Sequence, residues 1–255
     1  MNVAAYLKRI NYDGPLDPSL ETLRDLHLSH LLSVPFENLD IHLRRPIVLE
    51  DAALFDKIVE RRRGGFCYEL NGLFCWLLRE LGFAADKLSA GVANKEGGFD
   101  PYFDHMALLV HLKRPWLADV GFGDSFLQPL MLDEPGDQTD ESGVYRIERS
   151  GDELILMQRS EHDSGKPQYR FMLQPYEYAD YAEMCLFHQT SPESPFTKGQ
   201  VCTLATEDGR ITLRNMRLIT TAGRDKQERS IADEKERRAV LRDLFGIELE
   251  EDTGP

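Results

Sequence analysis

Apolar residues recur every three to four positions through roughly the first eighty residues and then fall at alternate or consecutive positions, so a helical beginning gives way to a sheet-forming middle. Residues 2–10 fit a short helix. Asp17-Pro18 supplies an N-cap followed by proline at the first helical position, opening a second helix that carries Leu20, Leu23, Leu28, Leu31 and Leu32 to about Ser33. Pro35 ends it, because the residue before a proline is pushed out of helical angles. A third helix over residues 51–62 turns Leu54, Phe55, Ile58 and Val59 inward and stops at Gly64-Gly65. A fourth begins at Cys67, with Leu70, Leu73, Phe74, Leu77, Leu78 and Leu81 on its apolar face.

From about Lys87 the period changes. Residues 88–93 and 105–112 are apolar runs of strand length; Lys113-Arg114-Pro115 makes a turn, and residues 116–120 return antiparallel to end at Gly121-Phe122-Gly123. Further strands are expected at 143–149, 153–159 and 169–173, giving an antiparallel sheet able to close as a barrel. The acidic, breaker-rich residues 133–142 read as a solvated loop. Residues 176–187 fit a helix, 201–205 and 210–213 a hairpin about Glu207-Asp208-Gly209, and a last helix starts near Asp233, with Glu236 three residues on, and ends at Phe245-Gly246. No repeat or low-complexity linker interrupts the chain, so subdomain seams are expected near residues 85 and 190.

Composition narrows the class. The 255 residues are 42% hydrophobic and 29% charged, enough for a sizeable globular core. A formal charge of −14 disfavours nucleic acid and anionic lipid as partners, although a local basic site for a phosphorylated cofactor stays open. No run approaches the roughly 20 apolar residues of a membrane span, and no targeting segment opens the chain, so a cytoplasmic location is expected. Cys67, Cys75, Cys185 and Cys202 show no CxxC spacing, which fits a reducing compartment and argues against a metal site. The last three read as small buried side chains.

Cys67 follows Arg63-Gly64-Gly65-Phe66 and opens a buried helix. The unpaired N–H groups and positive dipole end there favour the thiolate, marking Cys67 as a candidate nucleophile that needs a base. Of the seven histidines, His27, His30 and His42 lie beside polar residues on the N-terminal helices, His111 next to a turn and His162 in a polar loop. His105 opens an apolar strand just after the irregular segment 97–104, where a loop can frame a pocket. Asp119 is the best group to orient it, since a carboxylate in the otherwise apolar 116–122 needs a partner. A two-residue turn would set Asp119 opposite residue 108 or 110, roughly 10 Å or more from His105, so a bulge or bend is required to join them. Structural roles for Cys67, His105 and Asp119 stay open at this level, and Asp104 and Asp124 are rival carboxylates.

These residues resemble the arylamine N-acetyltransferases. The resemblance rests on Val34-Pro35-Phe36-Glu37-Asn38-Leu39, on the stretch from Arg63 to Asn71, on His105, on Asp119-Val120-Gly121-Phe122-Gly123 and on Ser191-Pro192-Glu193-Ser194-Pro195-Phe196, in family order. It implies an α+β fold: a helical N-terminal domain (1–85) with the nucleophile, an antiparallel β-barrel middle domain (86–190) with the histidine and aspartate, and an α/β C-terminal lid (191–255), around a cysteine-protease-like Cys-His-Asp core. It further implies catalytic Cys67, His105 and Asp119, a bracing pair between Arg63 and Glu37, and an acceptor pocket of Phe36, Val92, Phe122 and Phe196. Acetyl-coenzyme A would be the donor, and an aromatic amine, hydrazine or hydroxylamine the acceptor, through an acetyl-cysteine in ping-pong order. Coenzyme A contacts are not assigned, and Lys87, Lys95 and Lys198 are candidates by charge alone. The rivals are an amide synthase of the same family using a carrier-bound acyl group, a thiol hydrolase with the same triad logic, and a non-enzymatic binding module.

Overall fold

The computed structural model describes residues 1–159, 165–223 and 225–249; His162 lies outside them. The first third runs α1 (Val3–Arg9), α2 (Leu20–Ser33), β1 (Phe36–Glu37), α3 (Leu39–His42), α4 (Asp51–Phe55), a π-helical turn (Asp56–Glu60) and α5 (Cys67–Glu80). Helix α2 starts two residues later than Asp17-Pro18 implies. Its N-cap is Ser19, whose side chain accepts the Thr22 N–H, so a hydroxyl beat a carboxylate placed too far upstream. The expected single helix over 51–62 is broken by the π turn, which buries the consecutive Lys57, Ile58 and Val59 and so takes a charged side chain inside. Helix α5 is buried from Cys67 through Leu78 and forms the centre of the helical core.

The middle of the chain supplies β2 (Ala84–Val92), β3 (His105–His111), β4 (Pro115–Ala118), β5 (Leu130–Met131), β6 (Gln138–Asp140), β7 (Gly143–Ser150), β8 (Glu153–Arg159) and β9 (Lys166–Tyr176). They form one antiparallel sheet in the order β5-β4-β3-β2-β9-β8-β7-β6, curled into a nearly closed barrel around Leu88, Tyr145, Leu156 and Phe171. The two edges meet through a side chain. The Gln138 amide accepts from Met131 N–H (2.7 Å) and donates to Met131 C=O (2.9 Å), completing the edge as a strand residue would. Residues 133–142 are therefore more than a solvated loop. They contain β6, and Asp140 Oδ2 accepts the Leu127 and Gln128 N–H groups at 2.6 and 3.0 Å.

A 3₁₀ turn (Tyr178–Tyr181), α6 (Ala182–Thr190) and α7 (Pro195–Lys198) lead into β10 (Val201–Thr206), β11 (Gly209–Arg214), β12 (Arg217–Ala222) and β13 (Asp225–Ser230), and α8 (Glu234–Phe245) closes the fold. Asp233 caps α8 by accepting the Glu236 N–H, and Gly246 ends it at φ 66°. The second sheet runs β1-β10-β11-β12-β13, so its edge comes from the helical beginning: Phe36 pairs with Thr203 and Glu37 with Cys202. Phe36 also bridges Gly65. A side chain at Gly64 would put its Cβ 2.0 Å from the Pro35 carbonyl oxygen, which is why the stretch before Cys67 needs glycine. Among the described residues no helix is long and apolar enough to cross a membrane.

Candidate active site

Cys67 is the first residue of α5, after the N-cap Phe66, whose N–H donates to Glu69 Oε2 at 3.0 Å. His105 begins β3, which pairs with β4 in the register Leu108↔Ala118 through His111↔Pro115. The connection is thus three residues, 112–114, not two. Extending that register sets Asp119 opposite Ala107, on the same face as His105 and diagonal to it, a separation side chains span without a bulge. His105 Nε2 and Asp119 Oδ2 stand 2.7 Å apart, both residues buried. Their pairing leaves His105 Nδ1 as the nitrogen able to exchange a proton with a thiol.

Asn71, one turn beyond Cys67 on α5, locks this arrangement to the nucleophile helix. Its Nδ2 donates to Met106 C=O (2.6 Å) and Asp119 Oδ1 (2.8 Å), and its Oδ1 accepts the Val120 N–H (2.9 Å). The Gly121 N–H also donates to Asp119 Oδ1, at 2.9 Å. A Cβ on Gly121 would lie 2.7 Å from Asn71 Nδ2 and 2.9 Å from Cys67 Cα, so glycine lets the Asp119 loop press against α5. Burial raises the Asp119 carboxyl, but His105, Asn71 and Gly121 outweigh it and hold the group below its ordinary value, as a carboxylate.

His27, set aside on sequence grounds, also holds this loop. Fully buried on α2, it accepts the Asp119 N–H at Nε2 (3.1 Å), and Nδ1 sits 2.9 Å from Leu127 C=O, which fixes the proton on Nδ1. Its ring stacks on Phe126. Burial lowers the His27 pKa from its ordinary 6.5, so below that pH the unfolded chain binds a proton that the folded one refuses. Stability should therefore fall as pH drops from about 7 to about 5. His27→Gln should flatten the slope by up to ~1.4 kcal/mol per pH unit, read from urea unfolding at each pH, and equal slopes in the two proteins would refute the assignment.

The environment of Cys67 opposes the activation expected at a helix start. Burial pushes the thiol well above its ordinary value, the Asp104 and Asp119 carboxylates push it further, and a hydrogen bond with the Met106 backbone opposes them. Desolvation works against the thiolate, which favours ionisation coupled to proton transfer to a neighbour. Cys67 and His105 line one cavity of about 370 Å³. Phe36, Val92, Phe122 and Phe196 line it too, all half-buried. The Phe122 ring packs edge-on against His105, with centroids 5.2 Å apart.

Of the rival carboxylates, Asp124 is exposed and pairs with Arg210 (3.1 Å). Asp104 lines the cavity and approaches His188, a second histidine there. Among the lysines considered for coenzyme A, Lys87 is buried, bound to Glu177 at 2.8 Å and set over the Tyr178 ring, which removes it from consideration. Lys198 Nζ donates to Glu193 C=O, and Lys95 is exposed in a turn. Beneath the motif loop Arg63 grips Glu37 Oε1 through Nε (3.0 Å) and a terminal nitrogen (2.7 Å) and reaches Asp40 (3.0 Å), while Lys57 joins Asp40 (2.8 Å) to Glu69 (2.7 Å).

Residues 19–253 match the N-acetyltransferase family profile. The arylamine N-acetyltransferase of Escherichia coli K12 is 35% identical over 250 residues, covering 96% of this chain and 89% of that protein. The chain belongs to the arylamine N-acetyltransferase family. Among solved members, the Salmonella typhimurium enzyme superposes with a TM-score of 0.93 at 32% identity, covering 98% of this chain and 93% of that one. The Mycobacterium marinum enzyme in complex with CoA does so at 0.89 and 33%, covering 96% and 93%. Family membership agrees with the α+β fold of helical start, antiparallel barrel and C-terminal sheet described above.

Proposed function

We propose that the chain transfers an acetyl group from acetyl-coenzyme A to an aromatic amine, hydrazine or hydroxylamine through an acetyl-cysteine at Cys67. The observation that carries this reading is the cavity itself, which holds Cys67 and the Asp119-bound His105 between aromatic walls. The names of the relatives support it: the Escherichia coli protein is an arylamine N-acetyltransferase, the Mycobacterium marinum structure is of a complex with CoA, and a Salmonella typhimurium relative is also named an N-hydroxyarylamine O-acetyltransferase.

In this reading the steps use the groups that line the cavity. His105 Nδ1 takes the Cys67 proton as the sulfur attacks the thioester carbonyl, so the buried thiol ionises only together with its base. The backbone N–H of Cys67 serves the oxyanion, and coenzyme A leaves as its thiol with the proton from His105. The amine nitrogen then attacks the acetyl-cysteine, the C–S bond breaks, and the amine proton passes by way of His105 to the Cys67 sulfur. Asp119 holds the ring and favours its charged form in both halves. Phe36, Val92, Phe122 and Phe196 seat the acceptor ring and exclude water, which would otherwise hydrolyse the intermediate. In this reading residues 1–85 carry the nucleophile, 86–190 the His-Asp pair and 191–255 the lid, and the cytoplasm, consistent with four free cysteines, is the site of action.

Intact-mass measurement tests it. Mixing with acetyl-coenzyme A should add one acetyl group to the protein and none to Cys67→Ser, and an arylamine should discharge the adduct faster than water does. Discharge by water at the same rate would make the chain a thiol hydrolase. No adduct from acetyl-coenzyme A, with loading from a carrier-bound acyl group, would make it an amide synthase.

A further inference from the structure

The C-terminal sheet ends on an edge that the transfer chemistry above does not use. Strand β13 pairs with β12 on one side only, and every residue of Asp225–Ser230 is exposed. An edge of this kind offers its unpaired N–H and C=O groups to another strand. Helix α8 does not cover it: Val240, Leu241 and Phe245 pack with Cys202, Leu213 and Leu218, which belong to β10, β11 and β12. The edge is also the end of the sheet opposite β1.

The ladder fixes which backbone groups are free. Strand β13 runs against β12 from Ala222↔Asp225 to Arg217↔Ser230, and just beyond it the Ile231 N–H donates to Met216 C=O at 2.8 Å. Bonded and non-bonded pairs alternate along an antiparallel ladder, so Asp225, Gln227 and Arg229 aim their backbone groups at β12, while Lys226, Glu228 and Ser230 aim theirs outward. A further antiparallel strand made of the same residues has to oppose outward residues to outward ones. That excludes full overlap, which would set Asp225 against Ser230. Of the registers that remain with three or more facing residues, those centred on Lys226, Glu228 or Arg229 set that charge against its own copy. The register centred on Gln227 instead sets Lys226 against Glu228 and Asp225 against Arg229, each pair occurring twice by symmetry.

We propose that β13 is the interface for a second copy of this chain, the two strands pairing antiparallel about a two-fold axis at Gln227 and joining the two five-stranded sheets into one. The same charges that blunt the edge against other strands admit this one pairing. Glu228 is steadied by Arg217 at 2.8 Å and Arg229 by Glu236 of α8, whereas Asp225 and Lys226 form no ion pair among the described residues. Opposite charges facing across the strands add to the backbone hydrogen bonds that the two Lys226–Glu228 pairs exchange. The formal charge of −14 repels a second copy at a distance. At physiological salt that repulsion is screened within about 8 Å, while the edge charges act in contact. An edge this short buries less than the roughly 1,200 Å² of a stable complex, so the association is reversible and of low affinity.

The test is a charge swap read by sedimentation of the full chain at physiological salt, from about 10 µM to about 1 mM. The average mass of the wild type should rise toward twice that of one chain. Lys226→Glu and Glu228→Lys each set like charges face to face and should raise Kd by about tenfold or more. An equimolar mixture of the two makes every facing pair opposite in sign again and should associate to within about threefold of the wild type. Gln227→Cys should be captured as a disulfide dimer under mild oxidation, because a directly opposed non-bonded pair sets its Cα atoms about 4.5 Å apart and the native cysteines are buried. Ser230→Cys, roughly 20 Å along the strand from its mate, should not be captured. All four substitutions fall on exposed positions, and unchanged thermal midpoints show the fold intact. A wild type that stays a single chain at the highest concentration, association unchanged in both charge variants, a mixture no better than its components, or capture of Ser230→Cys as readily as Gln227→Cys overturns the proposal.

Discussion

Asp119→Asn is expected to lower kcat/KM by roughly three to four orders of magnitude while leaving the fold intact. The Oδ1 position of Asp119 receives two donors, Asn71 Nδ2 and the Gly121 N–H, so an amide placed there must turn its oxygen toward them. Its NH₂ then faces His105 Nε2, where a carboxylate oxygen stood at 2.7 Å. A donor at that point makes Nε2 an acceptor and drives the ring proton to Nδ1, which can no longer take the proton of Cys67. Because burial already disfavours the Cys67 thiolate, losing the base takes away the acceptor paired with Asp119 that the thiol needs. Rates of acetyl-adduct formation and of arylamine acetylation, beside the thermal midpoint, measure the effect. A loss below about tenfold would mean that Asp119 does not set the tautomer.

The largest loss of stability should come from Arg63→Met. Glu37 and Arg63 are almost completely buried, and Asp40 and Glu69 lie in the same cluster with Lys57. Removing Arg63 takes away the cation that contacts both Glu37 and Asp40 and leaves the Glu37 carboxylate buried without it. Breaking one side of such a buried pair costs about 3–5 kcal/mol, which for a chain of this size is a fall of roughly 6–20 °C in Tm. Arg63→Lys should recover only part of this, because Glu37 and Asp40 are met by a planar fork that an ammonium does not reproduce. Thermal and urea unfolding of the two variants against wild type decide it. If Arg63→Met melts within 2 °C of wild type, the cluster does not brace the stretch that leads to Cys67.

Much of the framework was legible because local signals and global packing agree. The apolar period after Cys67, the Pro35 stop, the Asp233 and Gly246 caps and the apolar run opening at His105 each mark an element at or near where it stands. The His105–Asp119 contact was legible only as a neighbourhood, because one residue in the length of the 112–114 connection decides which face Asp119 shares. Strands β12 and β13 escaped notice since β13 is exposed along its whole length and shows no alternation. His27 looked peripheral beside polar neighbours in sequence, yet its partners are Asp119 and Leu127, about a hundred residues away. Asn71 carried a usable signal, a polar amide between Leu70 and Leu73 inside a buried helix, where such a group needs partners. Asp104 was a rival for orienting the base and turns out to face His188 instead.

The pairing of β1 with β10 bears on how the chain matures. Phe36 and Glu37 find their ladder partners in Thr203 and Cys202, while Phe36 also bridges Gly65 and the Glu37 N–H donates to Gly65 C=O at 2.8 Å. The glycine stretch before Cys67 is thus fixed to a strand whose far side stays unpaired until the last third of the polypeptide has been synthesised. Helices α1 to α5 can gather early from near neighbours, but closing a loop of this length comes late. A nascent or C-terminally shortened chain would carry the thiol without its finished frame, and reactivity at Cys67 would appear only with the arrival of β10.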